Sequence, residues 1–205
     1  MIYYIADTHF CYEPVTEGRG FSSAAEMDEA LITNWNSVVT EEDTVYFVGD
    51  IGYNEGHVPC RILARLRGHK HLIRGNHDTG YEDPQLLYRY FESVTDFWEI
   101  DDNDIHIILC HYPILYNKRG YMIHGHLHNS AQFFDILKTL PKVLNAGVDV
   151  NGMMPVTLEQ LIENNRSFYA GQPANFPQKP RGDRGFLPAV PDFRPIPERP
   201  KEETT

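Results

Sequence analysis

Five short polar segments carry the side chains best suited to bind a metal ion. In chain order they contain Asp7 and His9, Asp50, Asn76 to Asp78, His111, and His126 with His128. Each follows an apolar run that predicts a β-strand, and ligands bind at the carboxyl ends of strands in open α/β sheets. The D-x-H and H-x-H spacings place two side chains on the same side of an extended segment. Each segment alone has an ordinary explanation as a turn or surface residue, so the indication of a metal site lies in the set.

The donor atoms of these segments predict which ions would bind. Carboxylate, amide and imidazole groups, with no cysteine among them, suit Mn²⁺, Fe or Zn²⁺ better than Ca²⁺ or a structural zinc. Two metal ions about 3.5–4 Å apart need a shared ligand, and Asp50 is the best candidate for it. Such a pair activates water for attack on phosphorus, and a histidine that binds no metal can protonate the leaving oxygen. The segments therefore favour metal-dependent hydrolysis of a phosphoester.

The elements that must position these segments alternate between strand and helix in the first half of the chain. Strands are predicted at 2–6, 44–48 and 70–73, and helices at 23–39, 58–66 and 84–91. The first helix begins with a capping-box pattern formed by Ser23 and Glu26. Such alternation is typical of parallel βαβ units.

The second half of the chain is richer in strands. Strands are predicted at 94–100, 105–110, 121–124 and 143–148, and a closing helix at 157–163. The polar turn at 101–104 joins two of these strands, and the whole half predicts a second sheet. We expect an α/β domain over residues 1–165, followed by a proline-rich tail over residues 166–205 that ends regular structure.

Composition limits the cellular setting and the partners. The chain has 205 residues, of which 41% are apolar and 23% charged, which is ordinary for one globular domain. It has no stretch of about 18 apolar residues and no basic-then-apolar leader, so we expect no membrane span and a cytoplasmic location. Its three scattered cysteines favour reduced thiols. The net charge of −11 opposes passive binding to nucleic acid, although bound metal ions would still attract a phosphorylated substrate.

The ordered set of segments resembles the calcineurin-like metallophosphoesterase superfamily, whose pattern reads D-x-H, G-D, G-N-H-D/E, H and G-H-x-H. The match runs from Met1 to about Glu163. Stretches such as DTVYFVGD, KHLIRGNHD and HGHLHN are similar to a branch of small bacterial and phage phosphoesterases. The resemblance implies a four-layered α/β/β/α sandwich of two mixed sheets flanked by helices.

The resemblance also implies a role for each matching residue. One metal ion would be held by Asp7, His9 and His128, and the other by Asn76, His111 and His126, with Asp50 as the bridge. His77 matches the family's general acid, which binds no metal and faces the leaving group, and Asp78 would orient that loop or His77. The implied cofactor is two divalent ions, with Mn²⁺ preferred and Fe, Zn²⁺ or Ni²⁺ as alternatives. The implied reaction is hydrolysis of a phosphate mono- or diester, on a small molecule or a nucleotide, by a metal-bridging hydroxide.

Substrate selectivity depends on residues outside this pattern. Cys11 and Tyr12 stand where that branch often has Gly-His, which leaves the metal set complete and changes a wall of the pocket. We interpret Cys11 as an inert thiol. The candidate substrate-binding residues are Arg74, Lys118 and Arg119 for a phosphate and Tyr112 for a nucleobase. A solvated charge or simple packing is the competing explanation for each of them.

Two other functions and the role of the tail stay open. A nuclease or RNA-end phosphodiesterase is opposed by the acidic body and the lack of a basic, aromatic stripe. A non-catalytic scaffold of the same fold is opposed by the intact ligands and His77. In the tail, P-x-x-P spacings fit a polyproline helix for a partner's groove. Its aromatic residues instead favour packing over the body or over the neighbouring subunit of a homodimer.

Overall fold

The computed structural model describes residues 1–52 and 56–171, which form two four-stranded sheets flanked by helices. The strands are β1 (Ile2–Ile5), β2 (Thr44–Phe47), β3 (His69–Ile73), β4 (Ser93–Thr95), β5 (Trp98–Asp102), β6 (Ile105–Leu109), β7 (Tyr121–His124) and β8 (Val143–Asn145). The helices are α1 (Ala24–Val38), α2 (Cys60–Leu63), α3 (Phe134–Leu137) and α4 (Leu158–Tyr169). Within the described ranges no helix is long and apolar enough to cross a membrane.

The first sheet has the strand order β1-β2-β3-β4, and its strands run parallel. Ile5 lies opposite Phe47, and Phe47 lies opposite Leu72, so these three strands end side by side. The next residues along each strand therefore emerge at one edge of the sheet. The backbone N–H of Asp7 donates to the carbonyl oxygen of Gly49 at 2.9 Å, which carries the pairing one step beyond the strands.

The second sheet has the order β5-β6-β7-β8. Only the β5–β6 pair is antiparallel, while β6, β7 and β8 run parallel and end at a common edge. Ala6, just past β1, pairs with Gly147, just past β8, and its N–H donates to the carbonyl oxygen of Ala146 at 2.9 Å. The ligand-bearing edges of the two sheets are thereby joined into one.

Alternation along β1 explains how the layers are packed. Tyr3 and Ile5 face the helix side, where they join the buried cluster that includes Trp35 of α1. Tyr4 and Ala6 face the second sheet and join the buried cluster between the sheets. A parallel strand covered on both faces reads as a continuous apolar run, as IYYIA does here. The structure thus confirms the predicted sandwich of two sheets flanked by helices.

One predicted strand was wrong in its extent. The run 94–100 is divided between β4, which completes the first sheet, and β5, which begins the second. Asp96 and Phe97 connect β4 in the first sheet to β5 in the second. The Thr95 hydroxyl donates to the carbonyl oxygen of Phe97 at 3.0 Å. Apolar alternation reports an extended backbone but does not report which sheet each half pairs with. The predicted helix 84–91 is a 3-10 helix, Pro84–Arg89, and the predicted helix 58–66 is reduced to the single turn of α2. The other predicted strands and helices are present with shifted ends, α4 continuing to Tyr169, and the tail beyond residue 171 lies outside the described residues.

Candidate metal centre

All seven predicted metal ligands lie together, at the carboxyl ends of β1, β2, β3, β6 and β7. Donor atoms within 4.8 Å of one another define three overlapping groups: Asp7, His9 and His128; His9, Asp50 and His77; and Asp50, His111 and His126. We call the set Asp7, His9 and His128 the first cluster. The set Asn76, His111 and His126 is called the second cluster.

The first cluster has two imidazole nitrogens pointed at one another. Nε2 of His9 lies 3.2 Å from Nε2 of His128. Nδ1 of His128 lies 2.7 Å from a carboxylate oxygen of Asp149. Because that contact places the proton on Nδ1, Nε2 of His128 presents its lone pair to the cluster. Among the described residues, Oδ2 of Asp7 and Nδ1 of His9 are buried polar atoms without a hydrogen-bond partner.

The second cluster is arranged around the amide oxygen of Asn76. This oxygen lies 3.1 Å from Nε2 of His111 and 2.9 Å from Nδ1 of His126. Nδ1 of His111 donates to the carbonyl oxygen of Val48 at 2.9 Å, so the other ring nitrogen faces the cluster. A donated ring proton and an inward lone pair are what a metal-binding histidine requires.

Asp50 lies between the two clusters. Its Oδ2 lies 3.4 Å from Nε2 of His111 and 3.7 Å from Nε2 of His9. Its Oδ1 accepts a hydrogen bond from the backbone N–H of His77 at 2.9 Å. Burial alone would raise the pKa of Asp50, but His111 and His9 hold it well below its usual range. Asp50 is therefore ionised and within reach of both clusters.

The charges of the centre favour a cation. Burial lowers the pKa of His111, but Asp50 and Asp7 outweigh it and raise that pKa to about 9. Burial and the neighbouring His111 lower the pKa of His126 to about 4, and burial likewise lowers the pKa of His9. His9 and His126 thus keep neutral rings with free lone pairs beside the buried carboxyl groups, whereas His111 holds a second proton that a bound metal ion would displace. Together with the two buried atoms that have no hydrogen-bond partner, this donor set fits divalent metal ions.

The backbone holds the ligands in left-handed conformations. Positive φ angles occur at Asp7 (57°), His9 (49°), Asp50 (57°), His126 (70°) and His128 (49°). Such conformations are rare for residues with a Cβ, and each stores of order 1–3 kcal/mol that the surrounding structure must offset. Gly75 is needed for a different reason, since a Cβ there would overlap the carboxylate of Asp50.

Asp78 supports the loops of Asp50 and Asn76 through hydrogen bonds to their backbone. Its carboxylate accepts backbone N–H groups from Asp50 at 2.7 Å, Gly75 at 2.8 Å and Ile51 at 3.0 Å. The hydroxyl of Tyr81 donates to the same carboxylate at 3.2 Å. Burial raises the pKa of Asp78 despite these donors. The structure therefore places Asp78 where the resemblance had it orient this loop.

Arg19 and Asp149 were missed by the sequence reasoning. Both are buried, and Nε of Arg19 lies 2.9 Å from Oδ1 of Asp149, while Oδ2 of the same carboxylate contacts His128. Burial alone would raise the pKa of Asp149, but Arg19 and His128 hold it well below its usual range. A signal for Asp149 did exist, because it follows the apolar run 143–148 just as the predicted ligands follow theirs. Arg19 carries no comparable local signal.

Two tyrosines flank the clusters. The ring of Tyr112 lies 4.8 Å from that of His126 and is half exposed. The ring of Tyr12 lies 5.6 Å from that of His9 and 5.9 Å from that of His77. Cys11 beside it has its pKa raised to about 11 by burial and by Asp28, which accords with an inert thiol. Tyr112, predicted as a substrate contact, is thus at the rim of the centre.

Of the three predicted phosphate-binding cations, one is paired with an acidic side chain and two lie away from the clusters. Arg74 pairs with Asp96, its Nε and Nη2 lying 2.8 Å from the two carboxylate oxygens. Lys118 and Arg119 precede β7, so the length of that strand separates them from His126 at its other end. They line a surface hollow with Glu99, Asp101 and His106. The loop 110–120 runs back along the sheet from the end of β6 to the beginning of β7.

Comparison with known proteins identifies relatives of this chain. A family model described as calcineurin-like phosphoesterase matches residues 1–167. An uncharacterized protein of Methanocaldococcus jannaschii is 34% identical over 170 residues, covering 79% of this chain and 89% of that protein. The Gene 66 protein of Mycobacterium phage D29 is 24% identical over 177 residues, covering 72% of this chain and 87% of that protein. A crystal structure of an Aquifex aeolicus protein of unknown function is 26% identical, with a TM-score of 0.64, and covers 80% of this chain and 98% of that one.

Proposed function

Since this chain belongs to the calcineurin-like phosphoesterase family of metal-dependent phosphoric ester hydrolases, we propose that it hydrolyses phosphate mono- or diesters at a centre of two metal ions. The observation that carries the proposal is the position of Asp50, whose Oδ2 lies within 3.7 Å of a histidine nitrogen in each cluster. A carboxylate placed between two sets of ligands is the arrangement that a shared ligand requires.

In this proposal each cluster holds one ion. Asp7, His9 and His128 would hold the first, and Asn76, His111 and His126 the second, with Asp50 common to both. Mn²⁺ is our choice among the ions that mixed nitrogen and oxygen ligands accept, with Fe, Zn²⁺ and Ni²⁺ as alternatives. When bound, such ions supply an activated water nucleophile and neutralise negative charge on the phosphoryl oxygens.

The chain's own residues would orient the ester and supply the proton. His77 follows Asn76, and its backbone is tied to Asp50, so its ring is held at the edge of the ligand set. The ring packs edge-on against His9, with the centroids 5.0 Å apart. We propose that His77 binds no metal and protonates the leaving oxygen, which typically contributes roughly 10²–10⁴-fold in rate.

The proposed substrate is a small phosphoester or a nucleotide. Tyr12 lies beside the first cluster and Tyr112 beside the second. Either ring could contact the organic group of an ester whose phosphate lies between the two clusters. The cytoplasmic location and the homodimer stay predictions.

The decisive experiment counts metal ions and compares two substrates. The full chain, stripped and reloaded with Mn²⁺, should bind two equivalents and hydrolyse bis-aryl or mono-aryl phosphate, and the rate ratio assigns diesterase or monoesterase activity. A maximum of one equivalent would refute the two-metal centre. Two equivalents with no hydrolysis of any phosphoester in a broad panel would refute the catalytic role.

A second measurement separates metal binding from proton transfer. His77→Gln should lose roughly 10²-fold or more in kcat while it still binds two Mn²⁺ ions. If the variant instead binds one ion fewer than the wild-type chain, His77 is a ligand and the assignment of the acid is wrong.

A further inference from the structure

The buried pair of Arg19 and Asp149 touches both chain segments that form the first cluster. Nη2 and Nη1 of Arg19 donate to the backbone carbonyl oxygens of Asp7 at 2.6 Å and Thr8 at 2.9 Å. Its Nε and Nη2 also donate to the two carboxylate oxygens of Asp149, at 2.9 and 3.0 Å. One of these oxygens lies 2.7 Å from Nδ1 of His128. The pair therefore links the segment before His9 to the ring of His128, which follows His9 by 119 residues in the chain.

Each of these contacts bears on how a metal ligand is presented. Asp7 and His9 both have positive φ angles, so the carbonyl groups between them need donors that hold this turn in place. Arg19 supplies those donors with a planar group that loses little freedom on binding. Asp149 keeps the ring proton of His128 on Nδ1 and leaves Nε2 for the ion.

We propose that Arg19 and Asp149 are positioning residues for the first metal ion, setting its affinity while leaving the second ion unaffected. The proposal rests on the two-metal function and adds an asymmetry to it. The second cluster has no part in this arrangement, because His111 donates instead to the backbone carbonyl of Val48.

Asp149→Asn tests this inference with little change in volume. The amide can donate to Nδ1 of His128, which moves the ring proton to Nε2 and blocks the first ion. Calorimetric titration of the metal-stripped full chain with Mn²⁺ should show one affinity reduced roughly 10–100-fold and the other within about twofold of wild type. With Co²⁺ as the probe, the visible absorption of one bound ion should change and that of the other should not. Asp149→Glu, which restores the charge, should recover part of the lost affinity.

Asp102→Asn is the matched control. Asp102 is as buried as Asp149 and accepts a hydrogen bond from the Tyr4 hydroxyl at 2.9 Å, but it lies on β5, away from the clusters. This variant should bind both ions like the wild-type chain. Arg19→Lys is the second test, used also if Asp149→Asn does not fold, because it keeps the charge and loses part of the guanidinium contacts. It should weaken the same single ion.

Three results would overturn the proposal. If Asp149→Asn bound both ions with wild-type affinity, the pair would not position the site. The same result in Arg19→Lys would decide the question where only that variant folds. Equal loss at both ions, accompanied by a lower melting temperature, would show a structural role only. If Asp102→Asn lost as much affinity for one ion as Asp149→Asn does, any buried carboxylate would have this effect. A wild-type chain that binds fewer than two ions would instead refute the two-metal function itself.

Discussion

The two metal-ligand clusters are supported by buried groups of opposite charge. On the side of the first cluster, the guanidinium of Arg19 gathers the backbone carbonyls of Asp7 and Thr8. On the side of the second cluster, the carboxylate of Asp78 gathers the backbone N–H groups of Asp50, Ile51 and Gly75. Both arrangements hold loops that carry the predicted metal ligands.

The difference between the two supports lies in how each charge is balanced. Arg19 is paired with Asp149 at the distance of a salt bridge, so that charge is compensated inside the protein. Asp78 receives only neutral donors, and burial raises its pKa. A compensated pair resists changes in pH, whereas a single buried carboxylate responds to them. We therefore expect the loops on the two sides of the centre to lose stability at different pH values.

The largest effect should come from the residue that both clusters share. Asp50→Ala removes the carboxylate within reach of His9 and His111, so neither ion keeps its full ligand set. A metal clamp supplies several kcal/mol of transition-state stabilisation, so kcat/KM for an aryl phosphate should fall by about 10³–10⁴-fold. Mn²⁺ titration should show both affinities weakened. Loss of one ion alone would mean that Asp50 belongs to a single cluster.

The next effect concerns the stability of the metal-free protein. Asp78→Ala leaves the N–H groups of Asp50, Ile51 and Gly75 without their acceptor. Each stranded donor costs about 1–3 kcal/mol, so the free energy of unfolding in urea should fall by roughly 3 kcal/mol or more. Asp102→Ala is the control, because one buried hydroxyl, that of Tyr4, loses its acceptor there. If both variants lose the same amount, the three backbone contacts of Asp78 are weak.

The pH dependence of stability should have opposite signs on the two sides. The pKa of Asp149 lies below its ordinary value of 3.8 in the folded state, so its contribution is present above about pH 4 and is lost as the pH falls further. The pKa of Asp78 lies above 3.8, so the folded state takes up a proton first and gains stability as the pH falls towards 4.

Urea unfolding of the metal-free chains from pH 7 to pH 3 would measure both signs, using Asp149→Asn and Asp78→Asn as references. The stability difference between wild type and Asp149→Asn should stay constant down to about pH 4 and then shrink. The difference between wild type and Asp78→Asn should grow on acidification above pH 4, by at most about 1.4 kcal/mol for each unit of pKa shift. If both stability differences changed in the same direction on acidification, the two sides would not differ in how their buried charge is balanced.

The smallest effect should come from the flanking tyrosines. Tyr112→Ala removes the ring beside His126, and Tyr12→Ala removes the ring beside His9 and His77. An aromatic contact of this kind contributes about 1 kcal/mol, so each variant should raise KM for an aryl phosphate roughly fivefold. The kcat should be nearly unchanged. Equal KM values for aryl and alkyl esters in the wild-type chain would exclude aromatic stacking as the cause.

The sequence was sufficient for the ligand set and for most of the framework. Each ligand follows an apolar run, and parallel strands of similar length bring such positions to one edge. Asp7, Asp50 and Asn76 therefore had to meet once β1, β2 and β3 were paired, and the structure has them at one edge. Metal binding by these seven residues remains a prediction, although the structure brings their donor atoms together.

The features that the sequence did not predict depend on contacts between distant segments. The change of sheet at Asp96 and Phe97 follows from which strand pairs with each half, and an extended pattern is the same on both sides of it. Arg19 meets Asp149 across 130 positions of sequence. Lys118 lies away from the ligands because the loop after His111 crosses from one edge of the sheet to the other. Local periodicity contains none of this information.

The chain positions of the ligands have a consequence for when the centre can form. Asp7 and His9 leave the ribosome early, whereas His128 and Asp149 are made near the end of the described chain. The left-handed conformations of Asp7, His9 and His128 are held by neighbours from both sheets, so an incomplete chain presents scattered side chains without a pocket. Metal loading must accordingly follow synthesis of the second sheet. A nascent chain that lacks the second sheet should bind metal ions more weakly than the finished fold, so the ion that is taken up is selected by a nearly finished fold.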